Sequence, residues 1–86
     1  MVEIIKKIQQ KYFQAILNGD KTFELRLADQ EYNIGDILVL KEINENREFT
    51  GREIKKQITW IANTKNETFW PKEDIAKFGL IILGFK

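Results

Sequence analysis

The sequence predicts an α+β domain, a small closed or half-closed β-barrel of about five strands with one main helix after the first strand. Three observations lead there. Five β-prone runs are separated by turn-forming clusters, and a single stretch, Tyr12 to Leu17, carries apolar residues at helical spacing. The chain has only 86 residues, 43% of them hydrophobic and 12% aromatic, enough for one core and no more. With so many strands in so short a chain, a sheet wrapped on a helix buries more apolar surface than an open one. Residues 1–86 are therefore read as a single domain.

Val2 to Ile8 is rich in β-branched residues and reads as the first strand. The helix follows from about Gln9 to Asn18, with Tyr12, Phe13, Ile16 and Leu17 at i, i+4 spacing. Gln9 and Gln10 are weak N-cap residues, whereas Asn18-Gly19 suits a left-handed C-terminal cap. From Lys21 to Leu27 the period changes to two. Phe23, Leu25 and Leu27 alternate with Thr22, Glu24 and Arg26, so this second strand is expected to turn its apolar set to the core and to project the other three together.

Ala28 to Gly35 is polar and turn-like, and Gly35-Asp36 leads into Ile37-Leu38-Val39-Leu40. That run does not alternate, which predicts a strand buried on both faces and central in the sheet. Asn44-Glu45-Asn46-Arg47 offers a hairpin connection, and Glu48 to Ile61 one long, bent return strand. Within it Ile54, Ile58 and Trp60 share one parity, Lys55, Gln57 and Thr59 the other, and Thr50-Gly51-Arg52 marks a bulge or kink. Ala62 to Phe78 is polar apart from a short helical turn at Pro71 to Lys77, where Pro71 and the following Glu73-Asp74 fit a helix start. Leu80 to Phe85 reads as the closing strand. No repeat, low-complexity tract or linker interrupts this order.

The absence of cysteine and histidine removes the usual zinc constellations, thiol nucleophiles and histidine relays. Lysine, arginine and carboxylate chemistry remains, no acidic loop of the calcium-binding type occurs, and no cofactor or metal is expected. No run has the roughly 20 apolar residues of a membrane span and the amino terminus lacks a signal-peptide segment, so the expectation is a soluble, cytoplasmic protein without membrane contact. Net charge is +1, but it is unevenly spread. Residues 27–51 hold two basic and six acidic residues, a local charge of −4, which leaves +5 on the flanks. Such a chain can present one positive face or a mixed solvated surface.

Several side chains invite a chemical role. Glu24 and Arg26 can form a pre-oriented pair in which the carboxylate aims the guanidinium at a ligand, or a structural salt bridge worth about 0–1 kcal/mol if exposed. Lys21 is either an exposed turn lysine or a cation for a phosphate; desolvated, it could serve as a base or nucleophile. Trp60 and Trp70 are the stacking candidates, with Trp60 assigned to the core by its parity and Trp70, beside Pro71, the better exposed aromatic. Arg52, Lys55 and Lys56 suit phosphate contacts or a solvated strand edge that resists unwanted pairing.

The helix followed by Gly19-Asp20-Lys21-Thr22-Phe23-Glu24-Leu25-Arg26, then Ile34-Gly35-Asp36-Ile37-Leu38-Val39-Leu40, resembles the ASCH domain (activating signal cointegrator homology) of the PUA-like superfamily. A small bacterial and phage branch is similar also at Phe49-Thr50-Gly51-Arg52-Glu53-Ile54 and at Leu80-Ile81-Ile82-Leu83-Gly84-Phe85. The likeness covers nearly the whole chain. Its most specific element is G-x-K-x-x-E-x-R, filled by Gly19, Lys21, Glu24 and Arg26. The resemblance implies a PUA-type β-barrel that holds RNA or a nucleotide-like ligand in a cleft beside the helix and this strand; with the side chains singled out above, the candidate binding residues are Lys21, Thr22, Glu24, Arg26, Arg52 and Trp70. One ASCH branch is an amidohydrolase acting on N4-acetylcytidine through a lysine, a threonine and a glutamate. Its lysine falls on Lys21, its threonine on Glu24, and its glutamate in the region of Glu67, Glu73 and Asp74. The departure at Glu24 tilts the expectation from enzyme toward binder. A protein-interaction module, coactivator-like and suited to a near-neutral charge, is the third reading.

Overall fold

The computed structural model describes residues 2–27, 29–62 and 70–78. Their elements are β1 (Glu3–Gln9), α1 (Gln10–Leu17), β2 (Ile37–Ile43), β3 (Phe49–Gln57) and α2 (Lys72–Phe78). The strands form one mixed sheet in the order β1-β2-β3, with β1 parallel to β2 and β2 antiparallel to β3. The α+β class and the helix directly after the first strand stand. The described sheet is open, three-stranded and not closed on itself, and the expected closing strand Leu80 to Phe85 lies outside the described residues.

β2 is the central strand. Val39 and Leu40, adjacent and therefore on opposite faces, are both buried, which is why this run shows no alternation. On one face Leu40 packs with Ile8 of β1 and with Phe13 and Ile16 of α1, and half-buried Leu38 and Ile54 close the cluster. Burial of a side chain such as Phe13 contributes about 1.5–3 kcal/mol. Tyr12 and Leu17, also expected on the apolar stripe, flank that contact and remain exposed.

α1 starts without a side-chain cap at Gln9, and its end is closely defined. Gly19 takes φ 80°, its N–H donates to the Ile16 carbonyl at 3.0 Å, and the Asp20 N–H donates to that of Ala15 at 2.9 Å. These paired bonds cap the last turn and release the chain toward Lys21.

At the head of β2 the carboxylate of Asp36, buried, accepts the N–H of Val2 and the N–H of Asn33, each at 3.1 Å. It thus fastens the start of β1 to the turn that precedes β2. The hairpin forms where expected. Asn44 Oδ1 accepts the N–H of Asn46 at 2.9 Å and of Glu48 at 3.0 Å, so one side chain organises the connection.

Three expectations need correction. The return strand ends at Gln57, short of Ile61, and Trp60 is 81% exposed and no part of the core. Lys21 to Leu27 pairs with no strand among the described residues. Nor does its apolar set face a core: Phe23 lies at 36% exposure, Leu25 at 70% and Leu27 at 81%, while the side chains of Lys21 and Glu24 are about 85% covered, at 15% and 13% exposure. Among the described residues the segment is held by side-chain bonds within itself and to the edge of β1.

Candidate functional site

The residues of the G-x-K-x-x-E-x-R motif meet at one carboxylate. Lys21 Nζ donates to Glu24 Oε1 at 2.8 Å and to the Phe23 carbonyl at 2.6 Å, and Arg26 Nε donates to Glu24 Oε2 at 2.9 Å. The Lys21 ammonium lies 4.7 Å from the centroid of the Phe23 ring and 5.6 Å from that of Tyr12, so α1 supplies one wall of its surroundings. Arg26 reaches further, its Nη2 donating to the carbonyl of Lys7 on β1. Because Val2 offers its carbonyl to Ile37 of β2, ladder alternation turns the Lys7 carbonyl to the outer edge of β1. A guanidinium therefore sits where a neighbouring strand would have placed an N–H. A guanidinium has five N–H donors and these bonds use two.

Beside Arg26 is a concavity of about 240 Å³ lined by Lys6, Leu25, Arg26, Leu27, Asp29 and Tyr32. The Lys6 ammonium lies 5.9 Å from the Tyr32 ring centroid. The Tyr32 hydroxyl is buried and has no hydrogen-bond partner among the described residues. An unpaired buried hydroxyl costs about 1–3 kcal/mol. The concavity is smaller than the roughly 300–1,000 Å³ of a typical small-molecule site, and suits a base or a phosphate better than a whole nucleotide.

Of the residues that the sequence assigns to the site, Lys21, Glu24 and Arg26 come together, and Thr22 is exposed between them. Trp70, 47% exposed, precedes Pro71 at the head of α2 and does not line the concavity. Glu73 and Asp74 occupy the first turn of α2, and Glu67 lies outside the described residues.

Arg52 belongs to a different centre. Glu42 is 2% exposed, and its carboxylate accepts from Thr50 Oγ1 at 2.6 Å, Arg52 Nε at 3.0 Å and Arg52 Nη2 at 2.8 Å. The guanidinium stacks over Phe13, 4.7 Å from the ring centroid, and donates to Gln14 Oε1 at 3.3 Å. The hydrogen bonds from Arg52, then that from Thr50, hold the Glu42 carboxyl below its ordinary range against the opposing effect of burial. The bond to Glu42 in turn raises the Arg52 guanidinium above its ordinary value. The expected bulge creates this arrangement. Lys41 pairs with Glu53 and Ile43 with Phe49, so Thr50, Gly51 and Arg52 all stand opposite Glu42, with Gly51 at φ 93°. Arg52 is thereby built into the fold at Glu42, away from the Glu24 cluster. Sequence reasoning missed Glu42, although counting outward from the hairpin at Asn44 to Glu48 already sets it against Thr50.

Among the described residues no group of three or more acidic side chains is placed to hold a metal ion, and no helix is long and apolar enough to cross a membrane. No solved structure matches the chain. A protein of Escherichia phage P2, named "Uncharacterized 12.9 kDa protein in GpA 3'region", is 42% identical over 57 residues, which cover 66% of this chain and 51% of that protein. The chain thus spans about half the length of this relative. Residues 5–85 match the family described as "Domain of unknown function (DUF3850)", and the chain belongs to that family.

Proposed function

We propose that this protein is a small RNA- or nucleotide-binding module of the ASCH, PUA-like type, with its ligand held beside Lys21 to Arg26. In this reading α1 and the mixed sheet are part of a PUA-type barrel of about five strands. The observation that carries it is the convergence at one concavity of two cations, Lys6 and Arg26, with the ring of Tyr32. Glu24 aims the Arg26 guanidinium, and its unused N–H groups suit phosphate or base-edge oxygens. The charge distribution agrees. Two carboxylates of the acidic centre, Asp36 and Glu42, are buried, so less of the negative charge faces a ligand than the composition suggests.

Titration of short single-stranded RNA and of nucleotides, followed by calorimetry, tests the reading. Arg26→Ala is expected to weaken binding about tenfold or more, the loss typical of a hydrogen bond to a charged group. Equal binding by both proteins, or none by either, removes the assignment. Turnover of N4-acylated cytidine that disappears in Lys21→Ala would replace it with the hydrolase, and a stoichiometric protein partner captured without nucleic acid would replace it with the interaction module.

A further inference from the structure

Four cations, Lys6 not among them, are engaged by acceptors. Lys21 and Arg26 share Glu24, Arg52 holds Glu42, and Lys55 meets Glu3 at 3.4 Å. Lys7 and Lys41 differ. They are register partners in the parallel β1–β2 pair, on the sheet face opposite α1, and form no ion pair among the described residues. Glu53 shares that face as the register partner of Lys41, yet pairs with neither lysine. Like charges directly opposite one another across a sheet are destabilising. Here both ammonium groups lean over one ring, Lys7 Nζ at 5.6 Å and Lys41 Nζ at 5.8 Å from the centroid of Phe49, which is itself 58% exposed. Two cations flanking an exposed aromatic match the chemistry of a single-stranded nucleic acid, whose bases stack on rings and whose phosphates need positive charge.

The edge of β1 separates this face from the Arg26 concavity. Lys6 and Lys7 are consecutive on β1, so Lys6 lines the concavity on one side while Lys7 serves the other, and Arg26 grips the Lys7 carbonyl between them. We propose, building on the binding reading above, that the ligand is a single-stranded polynucleotide and not a mononucleotide. It crosses the edge of β1 from the concavity to the opposite face, stacks a base on Phe49 and sets the adjoining phosphates on Lys7 and Lys41. The small volume of the concavity fits this division, because it holds one part of a ligand whose remainder continues over the surface.

The test uses a fluorescently labelled ten-residue oligouridylate in anisotropy titrations over a range of salt, with uridine 5′-monophosphate as the short probe. The full chain is compared with Arg26→Ala, Phe49→Leu and the double variant Lys7→Gln/Lys41→Gln, each checked for a native circular dichroism spectrum. The double variant is expected to reduce the slope of log K against log salt by about 1.4, since each single-strand phosphate contact contributes about 0.7. Phe49→Leu is expected to weaken the oligonucleotide about tenfold. Uridine monophosphate is expected to bind the unmodified chain at least tenfold more weakly than the oligonucleotide. An oligonucleotide that depends on Arg26 but keeps its affinity and salt slope in the Lys7 and Lys41 variant overturns this inference and leaves the binding reading intact. Dependence on Phe49 and the two lysines without Arg26 removes the concavity assignment and the path across β1 with it. Equal affinity for monophosphate and oligonucleotide, or no binding of either, also overturns the proposal.

Discussion

Glu24 and Glu42 are two carboxylates with the same kind of neighbours, and they do different work. Each is bonded to an arginine and to one further donor, Lys21 for Glu24 and Thr50 for Glu42. Glu42 stands on the central strand, opposite a bulge, beneath a guanidinium stacked on a core phenylalanine. Glu24 stands on a segment without a ladder, held to the sheet by the side chain of Arg26. Scaffolding, not chemistry, separates a carboxylate that fixes the fold from one that orients a cation toward solvent. Removing Glu42 strands a guanidinium stacked on a core ring, whereas removing Glu24 leaves Lys21 and Arg26 their bonds to the Phe23 and Lys7 carbonyls.

The largest effect should come from breaking the buried centre. Glu42→Ala leaves Arg52 and Thr50 without their acceptor and is expected to lower the thermal midpoint by more than about 10 °C, against less than about 6 °C for Glu24→Ala. Scanning calorimetry of both variants measures the gap, and equal shifts would erase the distinction between the two carboxylates.

Acid offers a second separation. The Glu42 carboxyl titrates lower in the folded chain than in the unfolded one, so its stabilisation is complete above its ordinary value of 4.5 and is lost as pH falls through the folded value. Urea midpoints recorded downward from pH 6 should therefore fall more steeply for the unmodified chain than for Glu42→Gln; parallel curves would show that another group governs acid unfolding.

Gly51→Ala should have an intermediate effect, a loss of about 1–2 kcal/mol from forcing a side chain into the left-handed region. A Cβ there meets nothing within 4 Å, so backbone conformation alone is being tested. Equilibrium urea unfolding gives the value, and no loss would mean that the bulge relaxes without Gly51. Smallest of all, Arg26→Ala should cost less than about 1 kcal/mol in the same assay. A loss as large as that of Gly51→Ala would make Arg26 a structural residue of the β1 edge.

How much of this was legible in the sequence depended on whether the signal was local. Asn18-Gly19 announced the helix end, Asn44 to Arg47 the hairpin and Ile37 to Leu40 the central strand, because capping, turn chemistry and two-sided burial act within a few residues. Lys21 to Leu27 misled, since its alternation imitates a strand while Glu24 folds Lys21 and Arg26 back on itself. Arg52 looked like a surface cation until the bulge set it against Glu42. Lys7, Lys41 and Phe49 carried no local signal, for the parallel register of β1 with β2 and the hairpin of β2 with β3 are both needed to bring them together. Tyr32 became a candidate only once its ring was found at the concavity with Lys6 and Arg26.

The bond from Val2 to Asp36 has a kinetic consequence. It joins residues 34 apart, whereas Thr50 and Arg52 reach Glu42 across 8 and 10. Loop closure costs only about 0.6 kcal/mol more for each doubling of length, but short contacts still form first, so the β2–β3 hairpin should assemble before β1 docks beside it. Pulse-labelled hydrogen exchange should then protect amides of 37–57 ahead of those of 3–9, and the reverse order would refute this sequence of events. The Arg26 anchor, which needs the Lys7 carbonyl on a formed β1 edge, is completed by the last strand to arrive.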